Sequence, residues 1–277
     1  MTATSTDAGI ALTVDSITKD FGLRRVRGSK GKSTHRAVNN VSFSLQKGEI
    51  LGLAGGSGSG KTTLARCIIR LVEPDSGRVF LGEDDVLAAR GADLRRIRRR
   101  VQMVFQDPYS SLNPRMSIGQ AILEAGKVHG QPGTENGAAF VAALLDKVHL
   151  VKALADRRPK DLSGGQRQRV AIARALAVGP DVLIADEAVS ALDVSVQAQL
   201  VQLFVDLRDE TGISILFVAH QLAVLAAVAD RIAVMHLGEM IEVGTARDVF
   251  ERPQHDHTRA LLDAHPHADP RRPFFTS

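Results

Sequence analysis

Gly55-Gly56-Ser57-Gly58-Ser59-Gly60-Lys61-Thr62 is the stretch on which the reading of this chain turns. It follows the short apolar run Ile50-Leu51-Gly52-Leu53-Ala54 and precedes Leu64 to Leu71, a stretch that predicts a helix. Strand, glycine-rich loop and helix, in that order, make a phosphate cradle. The glycines let successive backbone N–H groups turn inward without side-chain clash. The helix that follows points its positive dipole end at the same anion. Lys61 suits the β- and γ-phosphates, the Thr62 hydroxyl suits Mg²⁺, and Thr63 lies in the same turn. Chance alone produces the pattern in on the order of one chain in a hundred of this length, before its strand-to-helix context is counted. A nucleoside triphosphate is therefore the expected ligand of residues Gly55 to Thr63.

Downstream segments fit an α/β domain around that loop. Val101-Gln102-Met103-Val104-Phe105, Val182-Leu183-Ile184-Ala185, residues 213–219 and residues 231–235 read as buried strands, separated by helical stretches. Such alternation predicts a mostly parallel sheet. Residues 11–21 and 41–54 read as strands before the loop. From Asp107 to Asp161 the character changes, with turns at Pro108, Asn113-Pro114 and Gln131-Pro132-Gly133 and Ala/Leu-rich helices over 118–129 and 137–150, and a helical subdomain over about 107–178 is expected. This is a helical insertion into the sheet domain. After Phe250 the chain turns rich in His and Pro, and a tail that does not build a domain is expected.

Two further segments carry chemistry. The strand ending in Ala185-Asp186-Glu187 holds two carboxylates at the carboxyl edge of the sheet, where ligands bind in such folds. Asp186 suits a Mg²⁺ shell and Glu187 a general base acting on water. Two acids after a strand are more often plain surface residues; the phosphate loop upstream tips the reading. Leu162-Ser163-Gly164-Gly165-Gln166 opens a helix over Arg167 to Ala177, with Ser163 as its N-cap. Glycine amides, a serine hydroxyl and a helix start form an anion site. The chain already has one complete phosphate loop, so this second site calls for another molecule's γ-phosphate. A head-to-tail pair of chains, with each triphosphate held between two of them, is the simplest geometry.

Composition narrows the class. The 277 residues are 44% hydrophobic and 24% charged, ordinary for a globular protein. With no Trp and one Tyr, stacking on nucleic-acid bases is not expected. Cys67 stands alone, so no internal disulfide is possible, and its place after the loop predicts a buried, inert thiol. Met1 to Gly9 lacks the apolar core of a secretory signal. Thr211 to Ala229 carries no Asp, Glu, Lys or Arg and is nearly long enough to span a bilayer. His220 and Gln221 interrupt it, and it reads as a strand followed by a helix instead. Basic residues cluster over 24–36 and 90–100; the weightier reading is a solvated, mobile loop and a solvated helix face, rather than a nucleic-acid or lipid site.

Taken in order, the phosphate loop, Gln106, Ser163 to Gln166, Asp186-Glu187, Ser190-Ala191-Leu192-Asp193 and His220 resemble the ATP-binding subunit of an ATP-binding-cassette transporter, over nearly the whole chain. The resemblance implies a P-loop NTPase (RecA-like) sheet core with an antiparallel β subdomain and a helical insertion subdomain. It implies a cassette over 1–250 and a C-terminal extension over 251–277. ATP and Mg²⁺ are the implied cofactors, with Thr62, Gln106 and Asp186 toward the metal. Gln106 would also sense the membrane partner, Asp193 would cross the dimer interface, and His220 would contact the γ-phosphate and orient the attack beside Glu187. Phe21 stands where the family places an aromatic, usually Tyr, under the adenine.

Longer runs resemble the oligopeptide/dipeptide importer branch: Val104 to Arg115, Val189 to Gln199, and Pro253-Gln254-His255 through Leu262. They imply ATP-driven peptide import through two transmembrane permease subunits at the cytoplasmic face of a bacterial membrane. A second ATPase subunit, copy or relative, and an external solute-binding protein complete the assembly. Ala188, Gln221 and Asp256-His257 depart from that branch, where Pro, an acid and Pro-Tyr are usual. None of these removes a catalytic group. The same machinery importing nickel or another small solute is the alternative. A soluble cassette acting on ribosomes or DNA is the remoter one, since two cassettes in one chain or a long coiled-coil insertion is absent.

Overall fold

A computed structural model describes residues 9–22, 34–190 and 192–264, with the side chains of Pro108 and Ser110 outside the description. Most of the basic stretch 24–36, Ala191 and the end of the C-terminal tail therefore lie outside the described residues.

Two sheets share the work. The larger has six strands in the order β10(Glu239–Thr245), β9(Arg231–His236), β3(Ile50–Ala54), β8(Ser214–Val218), β7(Val182–Asp186) and β6(Val101–Val104). All neighbours pair in parallel except β10, which closes one edge antiparallel to β9. The central strands are apolar throughout because both faces are covered, and the strand period divides their side chains between two cores. Ile50, Leu183, Ala185, Ile215 and Phe217 join one. Leu51, Leu53, Val182, Ile184, Leu216 and Val218 join the other. On the first face α7(Val194–Thr211) brings Phe204 edge-on to Phe217, ring centroids 5.0 Å apart at 89°. Such a pair contributes about 0.5–1.5 kcal/mol beyond its burial.

The second face is closed by α1(Lys61–Ile68) and a smaller antiparallel sheet. Its strand order is β2(Thr34–Gln46), β1(Ile10–Gly22), β4(Ser76–Leu81) and β5(Asp84–Asp85). The sequence reading is corrected at four boundaries. Residues 41–54 form parts of two strands, because Lys47-Gly48 turns the chain with Gly48 at φ +69°. β2 starts at Thr34, inside the stretch assigned to a loop, because its first residues pair with Phe21 and Gly22. The helix after the loop starts at Lys61 and not at Leu64. The helix opened by Leu162 to Gln166, the signature segment, starts at Gly164 and not at Arg167.

Between β6 and β7 lie α3(Pro108–Ser111), α4(Ile118–Val128), α5(Gly137–Lys147) and α6(Gly164–Leu176). Ser117 caps α4 in a reciprocal box with Gln120, as Ser163 caps α6 with Gln166. Arg174 of α6 donates to the Ser111 carbonyl at 2.6 Å, and the Arg167 guanidinium lies over the Tyr109 ring, 5.4 Å from its centroid. The segment after Gln106 is thus fastened to the signature helix. Basic residues of α2(Gly91–Arg100) are largely paired. Arg96 and Arg100 bind Asp84, Arg100 also binds Asp181, and Arg98 donates to the Arg70 carbonyl. The span Thr211 to Ala229 divides into β8 and the short α8(Leu222–Ala226), and among the described residues no helix is long and apolar enough to cross a membrane. Cys67 is fully buried, and burial pushes its thiol up to about 11.

Among the described residues past Phe250 no separate domain is built, but the segment packs. Backbone N–H groups of Gln254 and His255 donate to the Glu242 carboxylate of β10. Then α10(Asp256–Asp263) follows, with Thr258 fully buried and Leu261 and Leu262 against the first core. His257 stacks on His236 at the end of β9, ring centroids 3.6 Å apart. Burial first, then the neighbouring His236 and His255, hold the His257 imidazole below its ordinary pKa. A group held neutral in this way contributes stability above the pH where a free imidazole titrates. That contribution is lost as pH falls through the lower folded-state value. Acidification from about pH 7.5 to about pH 5 should therefore lower the amide protection factors across 256–263, measured against the intrinsic exchange rate at each pH, and His257→Phe should flatten that response.

Candidate functional site

The turn from β3 into α1 is held open by its glycines. Gly55, Gly58 and Gly60 have φ of 150°, 76° and 102°. At Gly60 a Cβ would lie 2.1 Å from the Ala37 carbonyl oxygen, and at Gly55 one would lie 2.4 Å from that of Met235. The loop is therefore wedged between β2 and β9, and its open side faces a cleft. Lys61 is almost fully buried. Its ammonium donates to the carbonyls of Gly55 at 2.7 Å and Gly56 at 3.0 Å, and lies 3.4 Å from the Ser59 hydroxyl. Burial pulls the Lys61 pKa down, while Glu187 and Asp186 push it back up. The ammonium sits on the loop's own carbonyls, within reach of an anion laid in the cleft.

That cleft, of about 310 Å³, is lined by Phe21, His35, Ala37, Ser57 through Thr63, and Glu187. Phe21 is 40% exposed, free to present a ring face, and Lys19 lies 5.5 Å from its centroid. His35 pairs across from Phe21 in the β1–β2 ladder. It was missed in the sequence because it sits in the basic stretch assigned to a loop; the aromatic at position 21 and the partner ladder are what could have found it.

Thr62 donates its hydroxyl to Asp186 Oδ1 at 3.0 Å. Asp186 is 2% exposed, and burial raises its pKa, opposed by the Thr62 hydrogen bond and reinforced by Glu187. A desolvated carboxylate beside a hydroxyl is a hard-oxygen pair that a small divalent cation would satisfy, which fits Mg²⁺ with phosphate oxygens and water completing the shell.

Glu187 follows Asp186 at the end of β7 and adopts φ +48°, rare for a side chain with a Cβ. It lines the phosphate cleft and also a small neighbouring hollow formed with Ser190, Gln197, His220 and Gln221. Gln106 reaches the same place from the end of β6, its Nε2 donating to Ser190 Oγ at 3.5 Å. Glu187, His220 and Gln106 are thus brought to one edge, with the phosphate loop beside them.

Ser163, Gly164, Gly165, Gln166 and Asp193 are placed elsewhere. None of them lines the phosphate cleft. They form a second group, in which Cβ atoms at Gly164 and Gly165 would press on Leu192 and Val196. Ser163 and Asp193 are exposed. Backbone N–H of Val196 and the Ser195 hydroxyl bind the Asp193 carboxylate and hold it below the usual range. The phosphate loop and the signature segment therefore do not complete one site within one chain.

The chain matches the family model for "ABC transporter" over residues 38–190. The chain belongs to this family. It is an ATPase of the ATP-binding-cassette type. It is 47% identical over 261 residues to the "Probable peptide ABC transporter ATP-binding protein y4tS" of Sinorhizobium fredii, covering 94% of this chain and 74% of that protein. It is 46% identical over 269 residues to the "Glutathione import ATP-binding protein GsiA" of Escherichia coli, covering 97% of this chain but only 43% of GsiA, so it spans less than half of that relative. Among solved structures, the post-hydrolysis dimer of the ATP-binding cassette MJ0796 bound to ADP and Pi superposes with a TM-score of 0.74 at 29% identity, over 85% of this chain and 99% of that one. cbiO1 from Clostridium perfringens, part of the transporter complex cbiONQ, gives 0.75 at 28% identity, over 88% and 92%.

Two substitutions separate nucleotide contact from loop strain. Lys61→Ala should weaken binding of an ATP analogue by about 10- to 100-fold, since a charge-assisted contact is removed, with little change in melting temperature. Gly60→Ala should lower the melting temperature itself. Calorimetric titration and thermal melts read the two effects apart.

Proposed function

We propose that this chain powers import of small peptides through two transmembrane permease subunits, at the cytoplasmic face of a bacterial membrane. An external solute-binding protein would deliver the cargo. Support for the cargo comes from the names of the relatives above, one a peptide transporter and one an importer of glutathione, itself a tripeptide. The runs Val104 to Arg115 and Val189 to Gln199 support the same branch. Residues 1–250 serve as the cassette, with its helical part over about 107–178, and 251–277 as an extension.

The observation that carries the mechanism is the separation of the two phosphate-binding groups. The cleft lined by Lys61, Thr62 and Glu187 does not include Ser163 to Gln166 or Asp193, and of these Ser163, Gly164 and Asp193 are exposed. In the reading proposed, ATP lies on the loop of one chain and meets Ser163, Gly164, Gly165 and Gln166 of a second ATPase subunit, copy or relative, placed head to tail. Phe21 packs on the adenine. Lys61 moves from the loop carbonyls to the phosphates, and the loop N–H groups from Gly56 to Thr63 enclose them. Thr62 and Asp186, with Gln106 nearby, would hold Mg²⁺, which would supply charge neutralisation for the phosphate oxygens. Glu187 accepts a hydrogen bond from the attacking water and takes its proton as the oxygen attacks the γ-phosphate, an effect worth roughly 10²–10⁴-fold. His220 holds the γ-phosphate in line, and Asp193 engages the facing subunit.

A groove of about 250 Å³ between β6 and helices α4 and α6 suits the permease contact. It is lined by Gln102, Phe105, Glu124, Val128, His129 and Arg174. Val128 is 74% exposed there. A permease segment seated in it would touch the strand that ends at Gln106.

The Glu187→Gln variant tests the sandwich directly. With Mg²⁺ and ATP it should elute as a dimer, alone or with its ATPase partner, and return to monomers with ADP. A monomer under all these conditions would overturn the composite site. For the cargo, hydrolysis by the transporter reconstituted in liposomes should rise with peptide-loaded binding protein and not with nickel.

A further inference from the structure

We infer that Ser190 is a positioning residue for hydrolysis: its hydroxyl sets the backbone of Glu187 and ties it to Gln106. The inference rests on the proposed role of Glu187 as the base and adds a residue to it.

Ser190 Oγ donates to the Glu187 carbonyl at 3.0 Å, and the Ser190 N–H donates to the same oxygen at 3.1 Å. The Glu187 N–H donates to the Val218 carbonyl of β8 at 3.0 Å. Three bonds thus fix one peptide turn, and within it Glu187 adopts its φ of +48°. Left-handed backbone at a residue with a Cβ persists only where its surroundings enforce it. Here the turn aims the carboxylate at the phosphate cleft rather than along the strand.

The hydroxyl has one proton, and that proton is committed to the Glu187 carbonyl. Its lone pairs then accept from Gln106 Nε2 at 3.5 Å. A single oxygen therefore joins the end of β6 to the end of β7. His220 lines the same small hollow from the end of β8. Gln106 lies on the exposed stretch between β6 and α3, beside the groove that suits the permease. A shift of Gln106 toward the nucleotide would release the Ser190 acceptor position, and a shift away would restore it. The hydroxyl thereby couples the position of Gln106 to the aim of Glu187.

The test is steady-state hydrolysis of Mg²⁺-ATP by the assembled transporter carrying variants of this chain. Ser190→Ala should lower kcat roughly tenfold, the scale expected when a reacting group loses its positioning. KM for ATP and the melting temperature should be unchanged. Ser190→Thr keeps the hydroxyl and should recover most of the rate. Combined with Gln106→Ala, Ser190→Ala should cost less than the product of the two single effects, because the pair acts as a unit. A wild-type kcat in Ser190→Ala overturns the inference. So does an equal loss in the Ala and Thr variants, or full multiplicativity with Gln106→Ala. Should Ser190→Ala melt early, Ser190→Cys, close in size with a weak donor, replaces it, and a rate equal to wild type in that variant overturns the inference as well. Glu187→Gln in parallel separates the two levels of argument. If that variant keeps its activity, the base assignment itself fails. If it is inactive while Ser190→Ala is not impaired, only the role of Ser190 fails.

Discussion

The parallel register of four strands is the constraint on which the site depends. Leu53 of β3 and Asp186 of β7 both stand level with Val218 of β8, and Val104 of β6 stands level with Ala185 of β7. One or two residues beyond that line, each strand releases a segment of the candidate site: the glycine loop, Glu187, His220 and Gln106. Parallel strands keep equal spacing and equal direction, so all four segments leave the sheet at one edge. A one-residue slip of any strand would also turn its side chains into the wrong core, since Leu183 and Ile184 serve opposite faces. Hydrophobic burial on two faces therefore fixes the geometry of the candidate site indirectly, by fixing register.

The two cores divide the labour unevenly. The face under α1 and the antiparallel sheet presses on the glycine loop through the Ala37 and Met235 carbonyls, so the nucleotide cleft inherits the rigidity of both sheets. Helices α3 to α6 pack on the other side and connect to the sheet edge through short segments, one of them carrying Gln106. Contacts such as Arg174 to the Ser111 carbonyl bind that segment to the helix that opens with Ser163 to Gln166. Displacement at the groove is thus shared with the signature segment.

Most of the central sheet was legible because its strands are unbroken apolar runs ending in glycine, acid or histidine. Legibility failed where pairing depends on distant chain. β2 enters the basic stretch from Thr34, since the ladder with Phe21 and Gly22 supplies what composition there does not. The segment after Phe250 looked like plain tail, yet Glu242 accepts its backbone amides and Thr258 is buried. Within the site, the glycines, Lys61 and Asp186-Glu187 could be read from spacing alone. Ser190 could be read only as part of a family run, because its two partners come from the ends of different strands. A hydroxyl that accepts from one strand end and donates to another leaves no periodic mark.

That limit bears on how Glu187 is held. A left-handed residue carrying a Cβ costs roughly 1–3 kcal/mol. The hydrogen bonds from Ser190 N–H, Ser190 Oγ and Glu187 N–H contribute about 1 kcal/mol each. The two sums are of the same size, so the turn is held in balance rather than locked deep in one state. Removing one hydrogen bond shifts such a balance without unfolding anything, because β7 remains sealed between β6 and β8 in full register. Aim of the carboxylate and stability of the fold are therefore separable properties here. The first rests on a few hydrogen bonds at the sheet edge. The second rests on the apolar strands behind it.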